Sequence, residues 1–167
     1  MARKEELIRE MIMYYNRDPK RIQHFMKVYS FARTIGILEN IPEEEQEILE
    51  TAAIVHDIGI RISEKKYHCS TGSYQELEGP PAARPMLERL GYGDEIIGRV
   101  CYLIGHHHTY SNIKGMDYQI LVEADFLVNI YEDEMPETTI RNVRSNIFRT
   151  QAGIFLLDEM YLKPRTN

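Results

Sequence analysis

Tryptophan is absent from this chain of 167 residues, and cysteine occurs only twice, at Cys69 and Cys101. Two cysteines with no C-x-x-C spacing make neither a disulfide framework nor a thiolate metal knot, and they fit a reducing compartment. Long apolar runs are missing as well. A membrane helix needs about 20 mostly apolar residues, and no stretch here reaches ~18. The opening MARKEELIRE carries charge where a secretory leader would carry an apolar segment, so a cytoplasmic location is expected. There is no excess of positive charge: Lys and Arg total 20 against 26 Asp and Glu, for a formal net charge of −6. That balance argues against a broad basic surface for duplex nucleic acid. Hydrophobic residues at 43% and charged residues at 28% are ordinary for a globular protein, and the length suits one domain over 1–167.

Sustained period-2 alternation is lacking too, so no strand is expected. What is present reads as helix almost throughout, an all-α bundle of about seven to nine helices. EELIREMIMYY has helical spacing and stops before Asn16. Asp18-Pro19 reads as an N-cap followed by a first-turn proline, opening a helix to about Leu38. EEEQEILETAAIVHDIG follows Pro42, with acidic residues against the positive dipole end, and ends at Gly59. Residues 61–79 read as irregular. Pro80-Pro81 opens AARPMLERL, which Pro85 shortens or kinks. Asp94 caps EIIGRVCYLIGHHH, and DYQILVEADFLVNIYED follows a loop over 111–115. Two amphipathic helices in residues 133–167 are expected to cover the core and to offer a face for homodimerisation.

Polar residues inside apolar helices carry the chemistry. In ILVEADFLVN the apolar residues cover every face, which marks a buried helix. Asp125 lies there on the stripe with Leu121 and Val128. A carboxylate in that setting is paired, hydrogen-bonded or bound to a metal. Glu123, on the Ile120 and Leu127 side, is either a supporting group behind a site or partly exposed. His56 and Asp57 follow the apolar run Thr51–Val55. They are either an ordinary helix end or two ligands of one ion. His24 shares a stripe with Val28, Phe31 and Ile35, as a hydrogen-bonded core histidine or a ligand.

Taken together, the ordered series His24, His56-Asp57, Asp125, with HDIG at 56–59 and EAD at 123–125, resembles the HD domain superfamily of metal-dependent phosphohydrolases. The resemblance covers roughly residues 20–132. It implies an HD-type helical bundle in which His24, His56, Asp57 and Asp125 ligate a divalent cation. Mixed imidazole and carboxylate donors suit Mn, Fe, Co, Ni or Zn, or Mg with more waters. Relatives with a second metal position draw the eye to YQELEGPPAARPMLERLGY and VCYLIGHHHTY. There Glu78, His107 and His106 are the candidate ligands, with Glu76 and His68 behind them. The alternative is a single metal, with the triplet His106–His108 lining the substrate mouth.

The resemblance further implies hydrolysis of a phosphomonoester or phosphodiester, with a nucleotide or related small molecule as substrate. Asp57 would ligate metal and accept a proton from the attacking water. His107 would stabilise developing charge or protonate the leaving oxygen. Many relatives carry Lys after HDIG, where this chain has Ile60, so phosphate contacts are sought at Lys65, Lys66 and Arg84, or at Arg61. Two other readings remain: a dinuclear-iron oxygenase of the same type, which needs a second metal, and a non-catalytic metal- or nucleotide-binding regulatory module.

Overall fold

The Asp18 carboxylate accepts the Arg21 backbone N–H at 3.3 Å, and Pro19 occupies the first turn, so α2 starts there and runs Pro19–Leu38. The computed structural model describes residues 3–166. Among these are nine α-helices. Before α2 stands α1, Arg3–Tyr15; after it come α3, Glu43–Val55, α4, Gly59–Tyr67, and α5, Gly72–Arg89. Then follow α6, Asp94–Ile104, α7, Met116–Glu132, α8, Glu137–Asn146, and α9, Gln151–Leu157, which ends in a π-helical turn at Asp158–Leu162. No strand occurs among the described residues.

The centre of the bundle is α2, α3 and α7, each packed on the other two. The segment from Leu49 to Val55 on α3 is buried without interruption, as are Ile120 to Asp125 on α7. Two helices with no solvent face lie against each other only if α2 and α6 close the sides, and Val28, Ile35, Val100 and Leu103 do so. The helix α1 lies across α2 and α3, and α9 packs on α7 through Leu157.

The stretch 61–79, expected to be irregular, is instead most of a helical hairpin of α4 and α5. Its glycines serve approach rather than breakage. A Cβ on Gly59 would lie 2.6 Å from the Gln75 carbonyl oxygen and 2.7 Å from the Gly79 nitrogen, so the two helices cross backbone to backbone. Pro80, Pro81 and Pro85 lie inside α5. Each removes an N–H donor, but Ala83, Met86 and Leu87 are buried in the core, and this packing holds a helix that propensity alone would break. Similarly, Gly59 starts α4 rather than ending α3, which stops at Val55 and leaves His56, Asp57 and Ile58 in a tight turn.

Candidate metal centre

That turn is held from below by α1. The Tyr15 hydroxyl donates to the Asp57 carbonyl at 2.6 Å, and the Tyr14 hydroxyl donates to the Ile58 carbonyl at 3.0 Å. Thus a helix end that would otherwise fray fixes the Asp57 backbone. Opposite the turn, α2 contributes His24 and α7 contributes Asp125. The chain after α6 contributes His107 and His108, three and four residues beyond Ile104.

These side chains converge. His24 Nε2 lies 3.2 Å from His56 Nε2, 3.2 Å from Asp57 Oδ2 and 3.2 Å from Asp125 Oδ1. His56 Nε2 lies 3.3 Å from Asp57 Oδ2 and 3.4 Å from Asp125 Oδ1. His107 Nε2 reaches Asp57 Oδ1 at 3.4 Å. Donor atoms that share one ion at roughly 2.0–2.2 Å sit roughly 3 Å apart, so this spacing matches a common ligand shell.

The outward ring nitrogens decide what the inward ones can do. His24 Nδ1 donates to Glu132 Oε1, His56 Nδ1 to the Ala53 carbonyl and His107 Nδ1 to the Ile104 carbonyl, each at 2.7 Å. Those partners are acceptors only, so Nδ1 carries the hydrogen and each neutral ring offers a lone pair at Nε2. Two lone pairs 3.2 Å apart, at His24 and His56, repel unless positive charge lies between or beside them. His107 Nε2 and Asp125 Oδ1 are buried with no hydrogen-bond partner. Unsatisfied buried acceptors are costly, and a cation among them would satisfy both at once. The donor set fits a first-row divalent ion.

The charge balance points the same way. Burial alone would lower the pKa of His24 and of His56. The Asp125 and Asp57 carboxylates outweigh it and raise them to about 11 and about 10, so without an ion these rings favour a second proton on Nε2, and a metal ion held there would take that proton's place. Burial pushes Asp57 and Asp125 up, but the neighbouring histidines, with His56 first for Asp57 and His24 first for Asp125, hold both below the carboxylate range. The cluster draws cationic charge. His108 is different: burial, and then the neighbouring His107, lower its pKa to about 4, so it stays neutral. Its Nε2 donates to Gln75 Oε1 at 2.7 Å.

Two groups of donors lie within 4.8 Å of one another among the described residues: His24, His56 and Asp57, and Asp57, His107 and His108. Asp57 belongs to both. The second group differs from the one sought in the sequence. His106 turns away, with Nδ1 on the Tyr102 carbonyl at 2.7 Å and its ring stacked on Tyr102 at 4.2 Å. Glu78 faces α4, where it accepts from Tyr67 at 2.8 Å and Lys66 at 3.1 Å. The reason is helical phase: α5 starts at Gly72, so Gln75 and Glu76, not Glu78, face the triplet. Glu76 Oε1 accepts the His108 N–H at 3.0 Å and the Thr109 hydroxyl at 2.8 Å.

A cleft of about 360 Å³ opens over His24, Asp57, His108 and Asp125. Lys20 and Arg21 on α2, Ile60, Ser70 and Gln75, and Asn129, Glu132 and Asp133 on the α7 side complete its wall. Lys65, Lys66 and Arg84, sought as phosphate contacts, do not line it. Lys65 and Arg84 are exposed, Arg84 lies 3.8 Å from Glu88, and Lys66 is taken by Glu78. Arg61 bonds the Tyr14 carbonyl, and His68 is exposed as the left-handed cap of α4. A larger cleft of about 710 Å³ lies between α1, α2 and α3, but its buried charge, Glu50, is already paired with Lys4 at 2.9 Å and Arg33 at 3.1 Å. Arg3 pairs with Glu47 on the same wall, and no group of three metal-type donors lies there among the described residues. Glu132 was not singled out in the sequence, although it follows Asp125 by about two turns on the same helix face.

Fold and site together define an all-helical bundle whose central helices gather imidazoles and carboxylates into a cluster able to hold a metal ion. The sequence matches the HD domain family over residues 21–143, most of the chain, and the chain belongs to that family. A crystal structure of a predicted HD superfamily hydrolase from an uncultured Thermotogales bacterium aligns with a TM-score of 0.65 at 24% identity, covering 96% of this chain and 84% of that one. At that identity the likeness establishes the shared fold. No curated protein matches the sequence. No helix among the described residues is long and apolar enough to cross a membrane.

Proposed function

We propose that this chain is a metal-dependent phosphohydrolase acting on a phosphomonoester or phosphodiester, with a nucleotide or related small molecule as substrate. The observation that carries the reading is the set of inward Nε2 atoms of His24, His56 and His107, gathered within 3.2–3.4 Å of the Asp57 and Asp125 carboxylates. His24, His56, Asp57 and Asp125 would hold a divalent cation, with Mn, Fe, Co, Ni, Zn and Mg all compatible. Bound there, the cation supplies Lewis acidity toward a phosphoryl oxygen and lowers the pKa of a water.

The chain's own groups supply the rest. Asp57 Oδ1 faces the cluster and His107, and is the oxygen placed to accept a proton from the attacking water. His107 Nε2, 3.4 Å away, takes that proton on toward the leaving oxygen, while the Ile104 carbonyl holds its ring in one orientation. Lys20 at the cleft rim offers positive charge to a phosphate. Arg21, also on the rim, is engaged by Asp18 and Glu64 and holds α2 against α4.

The test is a phosphoester panel run with metal-loaded wild type and Asp57→Ala. Turnover by the wild type, and loss of both metal and turnover in the variant, are expected. Retained turnover in Asp57→Ala overturns the assignment. A loaded wild type that binds a nucleotide and hydrolyses nothing would replace it with the regulatory-module reading. One observation favours a second enzymatic reading: Asp57, His107 and His108 form a second donor group. A dinuclear-iron oxygenase needs two ions per chain, so a measured stoichiometry of one removes it.

A further inference from the structure

Three histidines present Nε2 to the cluster, and they are oriented in two different ways. His56 and His107 donate Nδ1–H to backbone carbonyls, of Ala53 and Ile104, that helix geometry supplies wherever such a ring sits. His24 alone among the three is oriented by a side chain, Glu132, at 2.7 Å. Glu132 is the last residue of α7, and the same helix carries Asp125 about two turns earlier. A single rigid element therefore supplies both a candidate ligand and the group that turns a second candidate ligand, on α2, toward it. We propose that Glu132 is a positioning residue of the metal centre: it fixes the tautomer and ring angle of His24 and raises the donor strength of Nε2.

The physical basis is general. A carboxylate on the far nitrogen of a metal-binding imidazole stabilises positive charge on the ring and so strengthens its lone pair, more than a neutral carbonyl does. Glu132 is also suited to the task by its surroundings. Its side chain is 15% exposed, so its charge is only partly screened, and it lines the cleft while standing outside both donor groups. Lys27, one turn along α2 from His24, lies 3.4 Å from the same Oε1. It shares the oxygen and holds the carboxylate toward α2. The pair Glu132–Lys27 thus ties the end of α7 to α2 beside the site.

The proposal rests on the metal-centre reading, and its test separates the two. Wild type, Glu132→Ala and Glu132→Gln are stripped with chelator, and each is titrated with Mn²⁺ by calorimetry; the unfolding midpoint of each stripped protein is measured alongside. Loss of a supporting partner of this kind weakens metal binding by roughly 10–100-fold, and that is the expected effect of Glu132→Ala. Glu132→Gln keeps an oxygen that accepts from Nδ1 but lacks the charge, so it should fall between the two, roughly threefold to tenfold weaker than wild type. The stripped midpoints should stay within a few degrees of one another. Wild-type affinity in both variants overturns the proposal. So does equal weakening in both that tracks a fall in the stripped midpoint, which marks a merely structural contact. If Glu132→Ala does not fold, Glu132→Gln decides alone, and unchanged affinity overturns the proposal. A stripped wild type that binds no Mn²⁺ overturns the metal centre itself, whatever the variants do.

Discussion

Glu123 and Asp125 stand two residues apart on α7, at 0% and 4% exposure, and have opposite surroundings. Glu123 is saturated. It accepts four hydrogen bonds, from Gln119 Nε2, the Thr150 hydroxyl and the backbone N–H groups of Arg149 and Thr150. It sits beneath the start of α9, where Gly153 leaves the room it needs: a Cβ there would lie 1.8 Å from Glu123 Oε1. Asp125 Oδ1 has no well-formed hydrogen bond and instead faces the inward Nε2 atoms of His24 and His56, at 3.2 and 3.4 Å. Equal burial therefore marks different roles. A buried carboxylate whose acceptor capacity is filled by the fold is a structural joint, and one left unfilled in a cluster of imidazoles and carboxylates is placed to hold a cation.

The contrast can be broken most sharply at Asp125. Asp125→Asn removes a charged donor but keeps the shape, and is expected to weaken Mn²⁺ binding by more than about 100-fold, beyond the cost of losing a supporting residue, while the stripped variant remains folded. Glu123→Ala should do the reverse. It strands the donors around Thr150 and opens a void, so chemical denaturation should show a loss of about 2–3 kcal/mol with Mn²⁺ affinity little changed. Weakened metal binding without loss of stability in Glu123→Ala would erase the distinction.

The smallest effect is in the pH dependence of the stripped protein, where the two carboxylates pull in opposite directions. Burial, only partly offset by its hydrogen bonds, raises Glu123 above its ordinary 4.5. Its contribution to stability is full below 4.5 and is lost as pH rises through the raised value. Asp125 is lowered from 3.8 by His24 and His56 against burial, so its contribution is present above 3.8 and lost as pH falls through the lowered value. Glu123→Gln should remove a shallow decline in unfolding midpoint just above pH 4.5, and Asp125→Asn should leave that decline in place. A decline that survives in Glu123→Gln contradicts the assignment.

Several of these residues were legible in the sequence because their burial conflicts with their polarity. Asp125 lies amid apolar residues on every face, His24 lies on an apolar stripe, and His56-Asp57 ends an apolar run. The structure brings the four together, with His107 beside them. What the sequence concealed was phase. Gly72 and Gly79 read as part of an irregular stretch, Pro80-Pro81 as a helix start and Pro85 as a kink, yet α5 runs through them all because Gly59 allows a backbone crossing and the core holds the far turns. Moving the start of that helix from Pro80 to Gly72 turns Glu78 toward Lys66 and presents Gln75 and Glu76 to the triplet. His106, His107 and His108 lie beyond Ile104 in a turn, where helical register no longer says which ring points inward. Glu123 in the EAD motif reads as a supporting group or a partly exposed one, and only the fold of residues 147–153 over it reveals donors that sequence spacing does not display.

The account stands or falls on the ion. A crystal of chelator-stripped protein reloaded with Mn²⁺, measured at the manganese absorption edge, tests it most directly. The expected result is an anomalous peak within bonding distance of His24 Nε2, His56 Nε2, Asp57 and Asp125, with Glu123 still bonded to Thr150. A loaded crystal with no peak at that cluster, or with the peak at Glu123, would contradict it.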